Sequence, residues 1–88
     1  GAEAKYLSAQ LMYNAGEYAA AEKEILNFID QSTPHAYWLA RSFILLSDVY
    51  VAMDKKLDAR QYLLSLQQNY HADDDIERMI QERLEKLK

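Results

Sequence analysis

The sequence of 88 residues contains no cysteine, one proline and two glycines. Without cysteine, the protein can form neither disulfides nor thiolate metal sites. The absence of cysteine also does not indicate whether the protein works in an oxidising or a reducing compartment. Two glycines are too few to build a phosphate-binding glycine-rich loop. No apolar run approaches the roughly eighteen residues of a transmembrane helix, so membrane insertion is not expected. The scarcity of glycine and proline leaves long uninterrupted segments, which favours helices.

The sequence also has no excess of basic residues. Fourteen acidic residues against ten basic ones give a net charge of −4. Proteins that bind DNA or RNA need lysine and arginine against the phosphates, so no nucleic-acid partner is expected. Half of the residues are apolar and 27% are charged, which is typical of a globular domain. A chain of this length allows one domain with a single helical core.

Apolar residues recur at three-and-four spacing in five segments, which predicts an all-α fold of about five helices. The predicted helices cover residues 2–15, 18–29, 34–53, 56–69 and 74–88. Thr33 and Pro34 suit the cap and first position of the third helix. Asp74 and Glu77 match a capping box at the start of the last one. No segment alternates strictly between apolar and polar residues, so no strand is predicted.

An internal repeat relates the first two predicted helices to the next two. Pairs of similar residues are separated by 38 positions: Ala9 and Ser47, Met12 and Tyr50, Ala21 and Ala59, Ile25 and Leu63, Phe28 and Leu66. Small residues allow two helices to approach closely, and large ones flank the crossing. The sequence therefore predicts one repeat over 2–32, a second over 33–71 and a closing helix over 74–88.

These positions make the chain resemble the tetratricopeptide repeat family, whose units of about 34 residues pair two antiparallel helices around small residues and a turn glycine. The first unit matches at Ala9, Gly16, Tyr18, Ala21, Ile25 and Pro34, and the second at Ser47, Tyr50, Ala59 and Leu63. The second unit has Asp54 in place of the turn glycine and lacks the closing proline. Because such arrays usually need about three units, the resemblance implies an α-solenoid fragment of a longer protein.

The resemblance also implies a concave surface, formed by the first helix of each unit, that holds a peptide or protein partner. The residues carried over to that surface are Tyr6, Gln10, Tyr13, Asn14, Arg41, Ile44, Asp48 and Val51. We therefore expect a non-enzymatic recognition or scaffolding module without a cofactor. The alternative is that these side chains pack against other helices, in a structural cap or a segment that self-associates through helix one and has no separate ligand.

Leu7 and Leu11 form the apolar stripe of helix one, with Tyr6 on the neighbouring face. Tyr37 and Trp38 are adjacent, so we expect one to pack and the other to be exposed. Neither His35 nor His71 has a cysteine or a second histidine at the spacing of a metal site. Residues 73–75 lack the glycine and the distant glutamate of a calcium-binding loop, so no metal site is predicted.

The segment after the second repeat gives one further resemblance. Asn69-Tyr70, followed shortly by three aspartates and Ile76, is similar to the last repeats of tetratricopeptide proteins from bacterial cell envelopes. That similarity implies an envelope or periplasmic location, and a cytoplasmic one stays open beside it.

Overall fold

The computed structural model describes residues 1–31 and 35–88, which form an all-α fold, as the sequence predicts. Its helices are α1 (Ala2–Asn14), α2 (Tyr18–Asp30), α3 (Ala36–Ala52), α4 (Lys56–Asn69) and α5 (Ile76–Lys86). Within these ranges there is no strand, and no helix is long and apolar enough to cross a bilayer.

The two predicted helix starts have different outcomes. The cap predicted at Thr33 and Pro34 lies outside the described residues, and His35 stands at the N-cap position of α3. The predicted capping box of Asp74 and Glu77 does not form: Asp75 stands at the N-cap of α5 without a side-chain cap bond, while Asp74 Oδ1 accepts a hydrogen bond of 3.0 Å from the amide of Ile76. One amide of the helix terminus is still satisfied by an aspartate side chain.

Helix α3 lies at the centre and contacts each of the other four helices. Helix α2 packs against both α1 and α3, and α4 packs against both α3 and α5. Arg41 of α3 meets Tyr6 of α1, and Asp48 meets Arg83 of α5. The pocket that holds Asp48 also holds Tyr13. Tyr37 at the start of α3 likewise meets Asp75, which precedes α5. The pairings follow the same order along each helix, so α1, α3 and α5 run parallel, with α3 between the other two.

The core consists of two clusters of buried residues that share α3 and α4. The first cluster joins Tyr6, Ala9, Ala21, Ile25, Leu45, Leu46, Val49, Tyr50 and Ala59. The second joins Ala40, Ile44, Leu63, Leu66, Ile76 and Ile80. Both crossing alanines, Ala21 and Ala59, are completely buried, as the small-residue pattern predicts.

The internal repeat appears in the backbone as well as in the sequence. The turn after α1 has Gly16 at φ +80°, with Glu17 N donating to Met12 O over 2.9 Å. The turn after α3 has Asp54 at φ +61°, and Lys55 N donates to Tyr50 O over 2.7 Å. Each residue of the first turn lies 38 positions before its counterpart in the second, so the two hairpins have the same turn conformation.

Asp54→Gly is expected to stabilise the protein by about 0.5–1 kcal/mol, because only glycine adopts a positive φ without steric cost. Gly16→Ala should destabilise it by about 1 kcal/mol, through backbone strain alone. A Cβ at position 16 would meet no atom within 4 Å. Urea unfolding measures both changes. Asp58→Gly, in the first turn of α4, is the matched control and should destabilise; a loss of stability in Asp54→Gly would contradict the turn.

The apolar stripe predicted for α1 is not its buried face. Leu7 and Leu11 are 48% and 69% exposed, whereas Tyr6 and Ala9 enter the core. Helix α1 carries apolar residues around most of its circumference, so spacing alone does not single out one face. The tyrosine enters the core because its hydroxyl finds hydrogen-bond partners there.

Candidate partner-binding surface

Arg41 lies at the centre of an aromatic cluster between α1 and α3. Its Nη2 donates to Tyr6 Oη over 3.0 Å and its Nη1 to Tyr37 Oη over 2.9 Å. The guanidinium carbon lies 4.9 Å from the ring centroid of Tyr6 and 5.8 Å from that of Trp38. Tyr37 in turn donates to Asp75 Oδ1 over 2.9 Å. Arg41 therefore links α1, α3 and the residue preceding α5.

The surroundings of Arg41 keep it charged. Burial lowers the pKa of the guanidinium, but the hydrogen bonds to Tyr37 and Tyr6 outweigh this effect and the pKa is raised. Two of its nitrogens are thus satisfied by phenol oxygens, and aromatic faces surround the charge. This cluster fixes the positions of α1 and α3 relative to each other.

Tyr37 and Trp38 differ from the sequence expectation that one of them is exposed. Both side chains are half-buried, and their rings meet edge to face with centroids 5.2 Å apart. The ring of Trp38 also lies against Tyr6, at 5.5 Å between centroids. Adjacent residues can both pack here because α3 is covered on several sides.

A row of polar side chains continues from Arg41 along α1. Tyr6 Oη donates to Gln10 Oε1 over 3.1 Å, and Gln10 Nε2 donates to Asn14 Oδ1 over 3.1 Å. The spacing of four residues places these side chains on one face of the helix. Three of the predicted surface residues are therefore connected to one another. Asn14, at the far end of the row, is exposed.

A cleft with a volume of about 780 Å³ lies farther along the same helices. Tyr13 comes from α1, Asp48 and Val51 from α3, and Arg83 from α5, with Leu87 just beyond it. Arg83 Nε and Nη2 donate to the two carboxylate oxygens of Asp48 over 3.0 and 3.1 Å. This bidentate pair joins α5 to α3 in the wall of the cleft.

Tyr13 contributes an uncharged hydroxyl to the cleft. Burial raises the pKa of its phenol, and the nearby carboxylate of Asp48 raises it further. The ring packs against Tyr18 of α2, with centroids 5.7 Å apart. Tyr13 is therefore held in place by α2 while its hydroxyl remains available both to donate and to accept.

The predicted surface residues separate into three groups. Tyr13, Asp48 and Val51 line the cleft, and Tyr6, Gln10, Asn14 and Arg41 form the polar row. Ile44 is 1% exposed and packs with Ile76 and Ile80 of α5, so it is a core residue and not a contact for a partner. Tyr6 is likewise buried.

Sequence reasoning missed the contribution of α5. Arg83 pairs with Asp48 and Leu87 lines the cleft, although neither is among the residues that the sequence assigned to the partner-binding surface. Arg83 lies one turn after the apolar Met79 and Ile80, and the apolar stem of an arginine can pack along such a surface. That spacing was the available signal that Arg83 lies on the inner face of α5. Nothing in the residues of α3 identifies Asp48 as its partner.

The histidines and the aspartate run do not form a metal site in the described part of the chain. No group of three or more histidine, aspartate or glutamate side chains there is arranged so that it could hold a metal ion. His71 Nε2 lies 2.9 Å from Gln68 O, close to the end of α4. Asp74 Oδ2 accepts from Tyr70 Oη over 2.5 Å, and burial together with this bond raises the pKa of Tyr70 to about 12. Asp74 thus bonds both to Tyr70 and to the first amide of α5.

Compared with known proteins, the chain matches no family model, no curated sequence and no solved structure. The chain is a helical, repeat-like protein, because the turns at Gly16 and Asp54 are equivalent and the equivalent residues Ala21 and Ala59 are both buried. Membership of the tetratricopeptide family and its peptide-binding activity therefore remain predictions.

Proposed function

We propose that this protein is a non-enzymatic recognition module that holds a segment of a protein partner in the cleft between α1, α3 and α5. The observation that supports the proposal is the convergence of Tyr13, Asp48 and Val51 on one cleft. These residues come from two helices, and the tetratricopeptide resemblance assigns all three to a partner-binding surface.

The chemistry of the cleft suits a peptide with both apolar and polar groups. Val51 is 38% exposed and Leu87 is half-buried, so both offer apolar surface. Asp48 and Arg83 neutralise each other. Around them, Lys56 and Lys86 face the cleft together with Glu82 and Glu85. Because these charges balance, binding would depend on shape, apolar contact and hydrogen bonds more than on the net charge of the partner.

The cleft also has a rigid frame. The bidentate pair between Asp48 and Arg83 and the cluster around Arg41 hold α1, α3 and α5 in register. A preformed surface avoids much of the entropy cost of ordering side chains and loops upon binding. This is the mechanism by which a small helical array can bind a flexible segment selectively.

Val51→Glu is expected to abolish capture of a partner from a lysate of the source cells, because it places a charge on the exposed apolar wall of the cleft. Leu57→Glu is the matched control, since Leu57 is 82% exposed and does not line the cleft. Circular dichroism should show both variants folded. With the captured protein purified, Val51→Glu should weaken binding at least about tenfold, equivalent to about 1.4 kcal/mol.

Two results would argue against a ligand cleft. If Val51→Glu and Leu57→Glu retain the same proteins as the unmodified chain, the cleft is not the contact surface. If nothing is captured, the alternative from the sequence gains support, namely a structural cap or self-associating segment without a separate ligand.

A further inference from the structure

A second surface lies on the side of α1 that faces away from the core. Ala4, Leu7, Leu11 and Ala15 follow helical spacing and are all exposed. Leu7 and Leu11 are two of the four exposed large apolar side chains in the described residues. These four residues, here called the α1 stripe, are separate from the proposed cleft, which α1 enters only through Tyr13.

The second repeat shows how this protein covers the equivalent positions. The counterparts of the α1 stripe, 38 residues later, are Ser42, Leu45, Val49 and Met53. Leu45 is 2% exposed and Val49 is fully buried, against 48% and 69% for Leu7 and Leu11. Ser42 is also buried, and Met53 packs against the first core cluster. The same four positions are thus covered in one repeat and uncovered in the other.

The element that covers the second set is a complete helical hairpin. Leu45 and Val49 belong to one cluster with Tyr6 and Ala9 of α1 and with Ala21 and Ile25 of α2. Both α1 and α2 contact α3. The cover therefore consists of two helices that present alanines at the crossings and larger apolar residues beside them.

We infer that the α1 stripe is a stacking surface for a further helical hairpin of the kind formed by α1 and α2, joined to the start of α1 as α2 is joined to α3. In repeat arrays each unit buries the open face of its neighbour. A second copy of the whole chain is less suited to the stripe. Its four side chains, two of them alanines, offer much less than the roughly 800 Å² per partner of a stable dimer. A covalently joined hairpin does not pay the entropy of association.

The test is a tandem protein in which residues 1–38 are placed ahead of the complete chain, so that the period of 38 residues is kept. Helix α1 of the complete copy then occupies the place that α3 has in the 88-residue protein. Its amides should exchange hydrogen at least about tenfold more slowly than in the 88-residue protein, because local opening of α1 would expose the newly buried stripe.

Leu7→Gln/Leu11→Gln in the complete copy should abolish this slowing, since it removes the apolar contact while keeping good helix formers. Leu57→Gln in the same copy is the control and should leave the slowing intact. Circular dichroism verifies that each tandem variant is folded. Equal exchange in the tandem and 88-residue proteins, or slowing that survives the double substitution, would overturn the inference.

Light scattering of the 88-residue protein separates the hairpin from a second copy. The expected mass is that of a monomer at every micromolar concentration. A dimer that Leu7→Gln/Leu11→Gln dissociates would identify a second copy as the occupant and would overturn the hairpin assignment.

Discussion

Ala21→Leu should destabilise the protein by about 1–3 kcal/mol, because three additional carbon atoms must enter a filled helix crossing. Ala21 has no exposed surface and lies in the core cluster between α1, α2 and α3. Ala59→Leu places the same change at the equivalent position of the second repeat, which is also fully buried. We expect the two costs to be similar. Urea unfolding, followed by circular dichroism, measures them.

Ala20→Leu is the matched control for this pair. Ala20 is adjacent to Ala21 in α2 but is exposed, and alanine and leucine have nearly equal helix propensities. Its effect should stay within about 0.5 kcal/mol. If Ala21→Leu or Ala59→Leu proved as mild as this control, the crossing would be looser than the structure shows and the repeat alignment would lose its main support.

Arg41→Met is expected to cost about 2–3 kcal/mol, since the guanidinium makes two hydrogen bonds and lies against aromatic faces. The methionine retains an unbranched stem of similar length, so the change mainly removes the charged head. Tyr6 would keep its bond to Gln10, and Tyr37 its bond to Asp75. No buried hydroxyl would be left without a partner, which limits the loss. Urea unfolding provides the free energy.

Arg60→Met, on the exposed side of α4, serves as the control and should change stability by no more than about 0.5 kcal/mol. Arg41→Lys should fall between the two, because lysine keeps the charge but cannot donate to both tyrosines with a planar fork. Equal stability of Arg41→Met and Arg60→Met would show that the cluster around Arg41 does not hold α1 to α3 in solution.

Most of the fold could be predicted from the helical spacing of apolar residues and from the positions of small residues. The segments around Ala21 and Ala59 were identified because a crossing tolerates little besides alanine, and both proved completely buried. The turn at Asp54 was recognised by its distance from Gly16, although residues other than glycine are uncommon at positive φ. These features are local or repeated, so a single sequence is enough to reveal them.

Contacts between helices that are distant in the sequence were harder to predict. The concave-face assignment of Ile44 rested on resemblance, and its burial follows from how α5 lies across α3. The pairing of Asp48 with Arg83 depends on the same placement. Helix α1 was oriented on Leu7 and Leu11, yet the core receives Tyr6, because Arg41 supplies a partner for its hydroxyl. Which face of a helix is buried, and which side chains pair, depends on the neighbouring helix and cannot be predicted from the residues of one helix alone.

The central position of α3 has a consequence for how the molecule unfolds. Leu45 and Val49 belong to the first core cluster, and Ala40 and Ile44 belong to the second. Because one helix supplies both clusters, disorder in α3 removes a packing partner from each of the other four helices, so the second repeat cannot unfold while the first keeps its contacts. The two hairpins are distinct in sequence but share this central helix, so we expect the amides of α3 to be the slowest to exchange hydrogen in the native protein.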